Sequence, residues 1–103
     1  MEYQIKIYRE ARSDIHQIIK WYDLQAEGLG DKFEAMLDNA INSIANNPTA
    51  FAYLFENVRR IRVKKFPYII FYKIDQQNIN IFGVIHTKRN PYLIKERFKH
   101  LGL

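Results

Sequence analysis

Phe33, Met36, Leu37, Ala40, Ile41 and Ile44 recur at spacings of three and one, which places them on one stripe of a helix that Asn46-Asn47-Pro48 brings to an end. A helix with one apolar stripe needs a partner layer to cover it. The preceding segment carries a second stripe of the same kind, Ala11, Ile15, Ile18, Ile19 and Tyr22, with Trp21 at its margin. Gly28 and Gly30 flank Leu29 between the two stripes and supply the backbone freedom of a tight turn, so the two helices form a hairpin. Asp31, with Glu34 three residues on, reads as a capping-box start for the second helix.

The layer that covers the hairpin is a sheet. Tyr3, Ile5 and Ile7 alternate with Gln4 and Lys6, the period of a strand with one buried face, over Tyr3 to Tyr8. Downstream, Arg60, Arg62 and Lys64 alternate with Ile61 and Val63, giving one cationic face and one core face. Tyr68 to Ile74 is apolar on both faces, as a central strand covered on both sides requires. After the turn Asp75-Gln76-Gln77-Asn78, the residues Ile79 to His86 alternate again and complete a hairpin. Phe51 to Glu56 is aromatic but aperiodic and reads as a connector against the helices. Asn90 and Pro91 open a short C-terminal helix bearing Ile94 and Phe98. The expected fold is α+β over a single domain, residues 1–103: an N-terminal strand and a helical hairpin packed on an antiparallel sheet (βααβββ), with a short C-terminal helix.

Charge divides this chain sharply. Between Glu10 and Glu56 eight acids face three bases, a net −5; from Arg59 to His100 eleven bases face two acids, a net +9. That polarity predicts an acidic partner, either nucleic acid or polypeptide. With no cysteine there is neither a disulfide framework nor a thiolate nucleophile. His16, His86 and His100 share no ligand spacing, so no metal and no cofactor is expected. The apolar run Phe66 to Tyr72 is far short of the roughly 20 residues of a membrane span, and Met1-Glu2-Tyr3-Gln4 does not open a secretory signal. A cytoplasmic protein is expected.

A set of short segments in a fixed order then supports a family resemblance. They are Ala11, Asp14 and Ile15 in the first helix, Trp21-Tyr22, Gly28-Leu29-Gly30 before Phe33, Asn47-Pro48, Val58-Arg59-Arg60-Ile61, Phe66 to Tyr72, and His86-Thr87-Lys88-Arg89-Asn90-Pro91. Over about 90 residues the chain resembles the RelE/ParE superfamily of type II toxin–antitoxin toxins, and most of all the ParE, or plasmid stabilisation, branch. The resemblance implies a growth-arresting toxin held in a hetero-oligomer by a cognate acidic antitoxin. It leaves two targets: DNA gyrase, poisoned by protein binding, or mRNA on the ribosome, cut by a RelE-like endonuclease.

An endonuclease that uses the RNA's own 2′-hydroxyl needs cations for the developing phosphorane charge and groups that move a proton. The candidates are Arg60, Arg62, His86, Arg89 and Tyr92. Two positions depart from the RelE-like pattern: Ile69 follows Tyr68 where those nucleases carry arginine, and Lys95 stands at the tyrosine position, with Tyr92 three residues away. His86 then reads either as a base or as a structural residue near Arg89, and Tyr92 either as the displaced tyrosine or as a cover for the sheet. The cations Arg59, Arg60, Arg62, Lys64, Arg89 and Arg97 form the candidate partner-binding set. Those on the first cationic strand have a second reading, as charges that deter pairing at a sheet edge. The reading favoured here is a ParE-like gyrase inhibitor, with the endonuclease and a non-toxic binding module as alternatives.

Overall fold

The structure is a computed structural model and describes residues 2–102. Its elements are β1 (Gln4–Ile7), α1 (Arg9–Gln25), α2 (Leu29–Asn46), β2 (Tyr53–Phe55), β3 (Val58–Arg62), β4 (Tyr68–Asp75), β5 (Asn78–His86) and α3 (Tyr92–His100). The expected βααβββ order with a terminal helix is present, with one strand added. Tyr53–Phe55, expected as connector, pairs with β3 and forms the sheet edge. A three-residue strand is too short for its alternation to register in the sequence.

The five strands lie in the order β1-β5-β4-β3-β2. β5, β4 and β3 pair antiparallel as expected and the added β2 pairs antiparallel with β3, whereas β1 pairs parallel to β5, so the sheet is mixed. The parallel pair is possible because the helical hairpin and three strands intervene between the two segments. β3 is consequently not the edge strand: β2 covers its first half.

Both faces of the sheet are buried, as the two-sided apolarity of β4 requires. On one face α1 and α2 cover Ile70, Tyr72, Ile79, Ile81 and Val84 with Ile18, Tyr22, Phe33, Leu37 and Ile44. On the other, Ile94 and Phe98 of α3 cover Val58, Phe71, Phe82 and Ile85. Tyr72 is fully buried and donates its hydroxyl to the Pro48 carbonyl at 2.7 Å, pinning the end of α2 to the sheet.

The hairpin turn differs from expectation in its cap. α2 begins at Leu29, with Gly28 in the left-handed conformation, and neither Asp31 nor Glu34 caps it. The Gly30 N–H instead donates to Asp23 Oδ1 of α1 at 2.9 Å. A Cβ at Gly30 would lie 2.6 Å from that oxygen, so a larger residue would push the Asp23 carboxylate off this amide.

β5 outruns its parallel partner. β1 pairs only through Ile81, and the edge of β5 beyond that point is satisfied by side chains from opposite faces. Asp14 of α1 accepts from the Val84 N–H at 3.0 Å, while Arg97 of α3 donates to the Phe82 carbonyl at 3.1 Å. The two side chains pair with each other at 2.6 and 3.2 Å. Phe82 is an extra residue on β5, since Phe71 pairs with Gly83 and Tyr72 with Ile81. The bulge brings Gly83 beneath α3, where a Cβ would meet Arg97 Nη1 at 2.7 Å and Ile94 Cδ1 at 2.9 Å.

Two predictions follow from this packing. Asp14→Ala leaves the Val84 amide without its acceptor and the Arg97 guanidinium without its counter-charge, and chemical denaturation should show a loss of about 2–3 kcal/mol; Gly83→Ala should cost about 1–3 kcal/mol by overpacking. Burial pushes the Tyr72 hydroxyl up to about 12 from its ordinary 10.0, although nearby Arg59 opposes the shift. The folded state therefore holds this proton where the unfolded chain releases it. Stability from Tyr72 is complete below pH 10 and is lost as pH rises towards 12. Alkaline unfolding followed by tyrosinate absorbance should show phenol ionisation delayed until unfolding, and Tyr72→Phe should remove one phenol from that delayed step.

Candidate partner-binding surface

Strand alternation sorts the cations of β3 before any partner is considered. Arg60 and Arg62 pair with Phe71 and Ile69 on the α3 side of the sheet, whereas Arg59 pairs with Tyr72 on the hairpin side. Arg59 is held there by the fold. Its guanidinium donates to the Thr49 and Phe51 carbonyls at 3.1 and 2.7 Å and to the Tyr53 hydroxyl at 2.6 Å, and it stacks 4.0 Å from the Tyr53 ring. Arg97 is likewise engaged with Asp14.

Of the six cations expected to face a partner, Arg60 and Arg89 share a small cavity of about 110 Å³, which Ile69, Ile85 and His86 also line. Arg62 is exposed farther along the same face of β3, and Lys64 is exposed in the turn that follows, both outside the cavity. Arg60 and Arg89 can together bind one carboxylate or phosphate, because each guanidinium offers a planar fork of donors. Ile69 stands among them as an apolar wall.

His86 ends β5. Its Nδ1 accepts the Lys88 N–H at 3.1 Å, and its ring meets Tyr68 edge-on at 5.1 Å. Tyr92 is 67% exposed at the start of α3 and lines a cleft of about 350 Å³ with Phe55, Lys73, Lys95 and Lys99. The five residues named for an endonuclease do not line one cavity: Arg60, His86 and Arg89 meet, Arg62 is exposed nearby, and Tyr92 lines adjoining clefts, one of which shares Leu54 and Pro91 with that cavity. Among the described residues no three His, Asp or Glu side chains gather as a metal site, and no helix is long and apolar enough to cross a membrane.

A second feature lies round the end of β5, on the hairpin side. Trp21, Tyr22, Pro67, Tyr68 and His86 line a groove of about 480 Å³. It continues into a cavity of about 240 Å³ bounded by Gln17, Trp21, Tyr68, His86 and Arg89. Burial pushes the Tyr68 hydroxyl up, opposed by its hydrogen bond with Tyr22 and by the Arg89 cation; burial, then Tyr68, pushes Tyr22 up. Both phenols are therefore neutral near pH 7. Sequence reasoning missed this groove. The available signal was Trp21, which lies one residue off the Ile18 and Tyr22 stripe and is therefore only half covered.

With this geometry in place, comparisons with known proteins define first the fold and then the family. The structure superposes with a TM-score of 0.75 on a chain of a chromosomal ParDE toxin–antitoxin system from P. aeruginosa, at 14% identity, covering 84% of this chain and 98% of the other. Toxin ParE2 of Mycobacterium tuberculosis, in strains CDC 1551 / Oshkosh and ATCC 25618 / H37Rv, is 24% identical over 96 residues, 92% of this chain and 91% of that protein. Residues 5–91 match the family described as the ParE toxin of the type II toxin–antitoxin system, parDE. The chain belongs to the ParE toxin family.

The sorting of arginines yields a prediction. Arg59→Ala removes contacts that tie β3 to the segment after α2 and should cost about 1–2 kcal/mol in a denaturation experiment. Arg60→Ala, with its side chain exposed, should change stability by no more than about 0.5 kcal/mol.

Proposed function

We propose that this ParE-family toxin acts by binding DNA gyrase, without cutting RNA, and that an acidic antitoxin holds it inactive in a hetero-oligomer. The cationic strip of Arg60, Arg62, Lys64 and Arg89 is the surface assigned to the acidic partner. Arg59 and Arg97 support that surface from inside the fold. The observation that supports protein binding is Ile69, an apolar side chain lining the cavity of Arg60, His86 and Arg89, while Tyr92 lines adjoining clefts and not that cavity. A phosphoryl-transfer centre needs its charge-stabilising and proton-moving groups around one reacting atom. Protein binding makes no such demand.

The endonuclease reading keeps one observation in its favour, the shared cavity of Arg60, His86 and Arg89. Expression of the chain with parallel assays of gyrase supercoiling and of mRNA by primer extension separates the two. Gyrase cleavage complexes with intact mRNA are expected; cuts within codons would overturn the gyrase reading. The double substitution Arg60→Glu, Arg62→Glu should weaken capture by the acidic protein encoded beside the toxin by about tenfold or more. Unchanged affinity together with unchanged growth arrest would remove this strip from the interaction.

A further inference from the structure

Two clefts beside α3 continue the Arg60 cavity, and the surface assigned to the acidic partner gives them no role. The first, of about 270 Å³, shares Leu54 and Pro91 with that cavity and reaches Tyr92 and Lys95. The second, of about 350 Å³, shares Phe55, Tyr92 and Lys95 with the first and ends at Lys73 and Lys99. A single track therefore runs along the α3 side of the sheet, from Arg89 and Arg60 to the far end of α3.

Cations recur along that track. Lys95 and Lys99 stand one helical turn apart on α3, roughly 6 Å. Lys73 joins them from β4, where it pairs with Val58 on the face that α3 covers. Among the described residues none of these three lysines is ion-paired, although Glu56 and Glu96 line the same cleft. With Arg60 and Arg89, five cations face two carboxylates along the track. The Lys95 ammonium lies 5.7 Å from the centre of the Phe55 ring, which keeps it at the junction of the two clefts. Beside it Tyr92 leaves 67% of its surface to solvent, and among the described residues no ring packs on it.

A strand of phosphates with unpaired bases suits this arrangement. Its charges repeat as the cations do, and each base offers a face to an exposed aromatic ring. A duplex has its base faces already stacked and would leave Tyr92 idle. An acidic peptide could meet the lysines, but a side chain seated on Tyr92 would have Lys73, Lys95, Glu96 and Lys99 for neighbours rather than an apolar pocket. We infer that the track binds single-stranded DNA, with one base stacked on Tyr92 and successive phosphates on Lys95, Lys99 and Lys73. The choice of DNA over RNA rests on the gyrase reading, since a toxin docked on gyrase works beside DNA.

The full chain is titrated into fluorescein-labelled oligodeoxythymidine at low salt and binding is followed by anisotropy, with oligouridine, a DNA duplex and oligoglutamate in parallel. The deoxythymidine strand is expected to bind most tightly. The double substitution Lys95→Glu, Lys99→Glu should weaken it about tenfold or more, and Lys99→Ala should reduce the slope of log affinity against log salt by about 0.7. Tyr92→Ala should weaken it about tenfold, whereas Tyr92→Phe, which keeps the ring, should not. All three side chains are exposed, so thermal melts of these variants should superpose on that of the parent chain. No binding of the strand, or binding that none of these substitutions alters, overturns the track. Loss through the lysines with none through Tyr92 leaves a patch for any polyanion and overturns the stacked strand. Tighter binding of oligouridine or of oligoglutamate overturns the assignment to DNA, in favour of RNA or of an acidic protein. Strand binding by a chain that leaves gyrase supercoiling unimpaired overturns the gyrase reading while the track stands.

Discussion

The ion pair between Asp14 and Arg97 is the contact on which the arrangement of layers depends. β5 is nine residues long and β1 four, so a parallel partner is missing along the last part of β5. Backbone polar groups left in a half-buried edge are costly. Here a carboxylate from one face and a guanidinium from the other take the place of the missing strand. Each satisfies one backbone group and then the other's charge. The desolvation that makes many buried pairs a poor stabiliser is offset by these additional hydrogen bonds. One interaction thus ties α1 and α3, which cover opposite faces, to the same strand.

That tie also fixes what surrounds the end of β5. With α3 clamped by Arg97, the chain from His86 to Pro91 must turn at the end of the sheet, and the turn closes through the Arg89 N–H on the His86 carbonyl at 3.0 Å. Arg89 is held at the corner where the two faces meet. From there it lines the Arg60 cavity on one side and the Trp21 groove on the other. The same pair holds α1 against β5, which sets Trp21 opposite Tyr68.

Much of the fold was legible because it is written in periodicity. The stripes of α1 and α2 and the two-sided apolar run of β4 each predict their own burial, and each element lies where its pattern places it. What escaped has no local period. Asp14 and Arg97 are 83 residues apart, and nothing near either marks the other as its partner. Asp31 satisfies the local rules for a cap, yet Asp23 takes the Gly30 amide of α2 from the neighbouring helix, and a contact across elements overrides a pattern within one. The parallel pairing of β1 is of the same kind, since alternation gives a strand its faces but not its neighbour.

The basic half of the chain shows how burial changes the meaning of charge. Alternation correctly puts Arg60 and Arg62 on one face, but it makes no distinction between a cation facing solvent and Arg59, which faces the segment following α2 and hydrogen-bonds its carbonyls. A guanidinium already holding two or three acceptors has few donors left for an incoming carboxylate, and withdrawing it would strand the carbonyls it serves. Counting arginines therefore overstates the cations left free to meet solvent, and position corrects the count. Arg60 and Arg62 lie on the α3 side of the sheet, Lys64 is exposed in the turn that follows β3, and Arg89 is exposed beyond the end of β5. Arg89 is the member of that set beside an uncovered tryptophan, where charge and apolar surface adjoin.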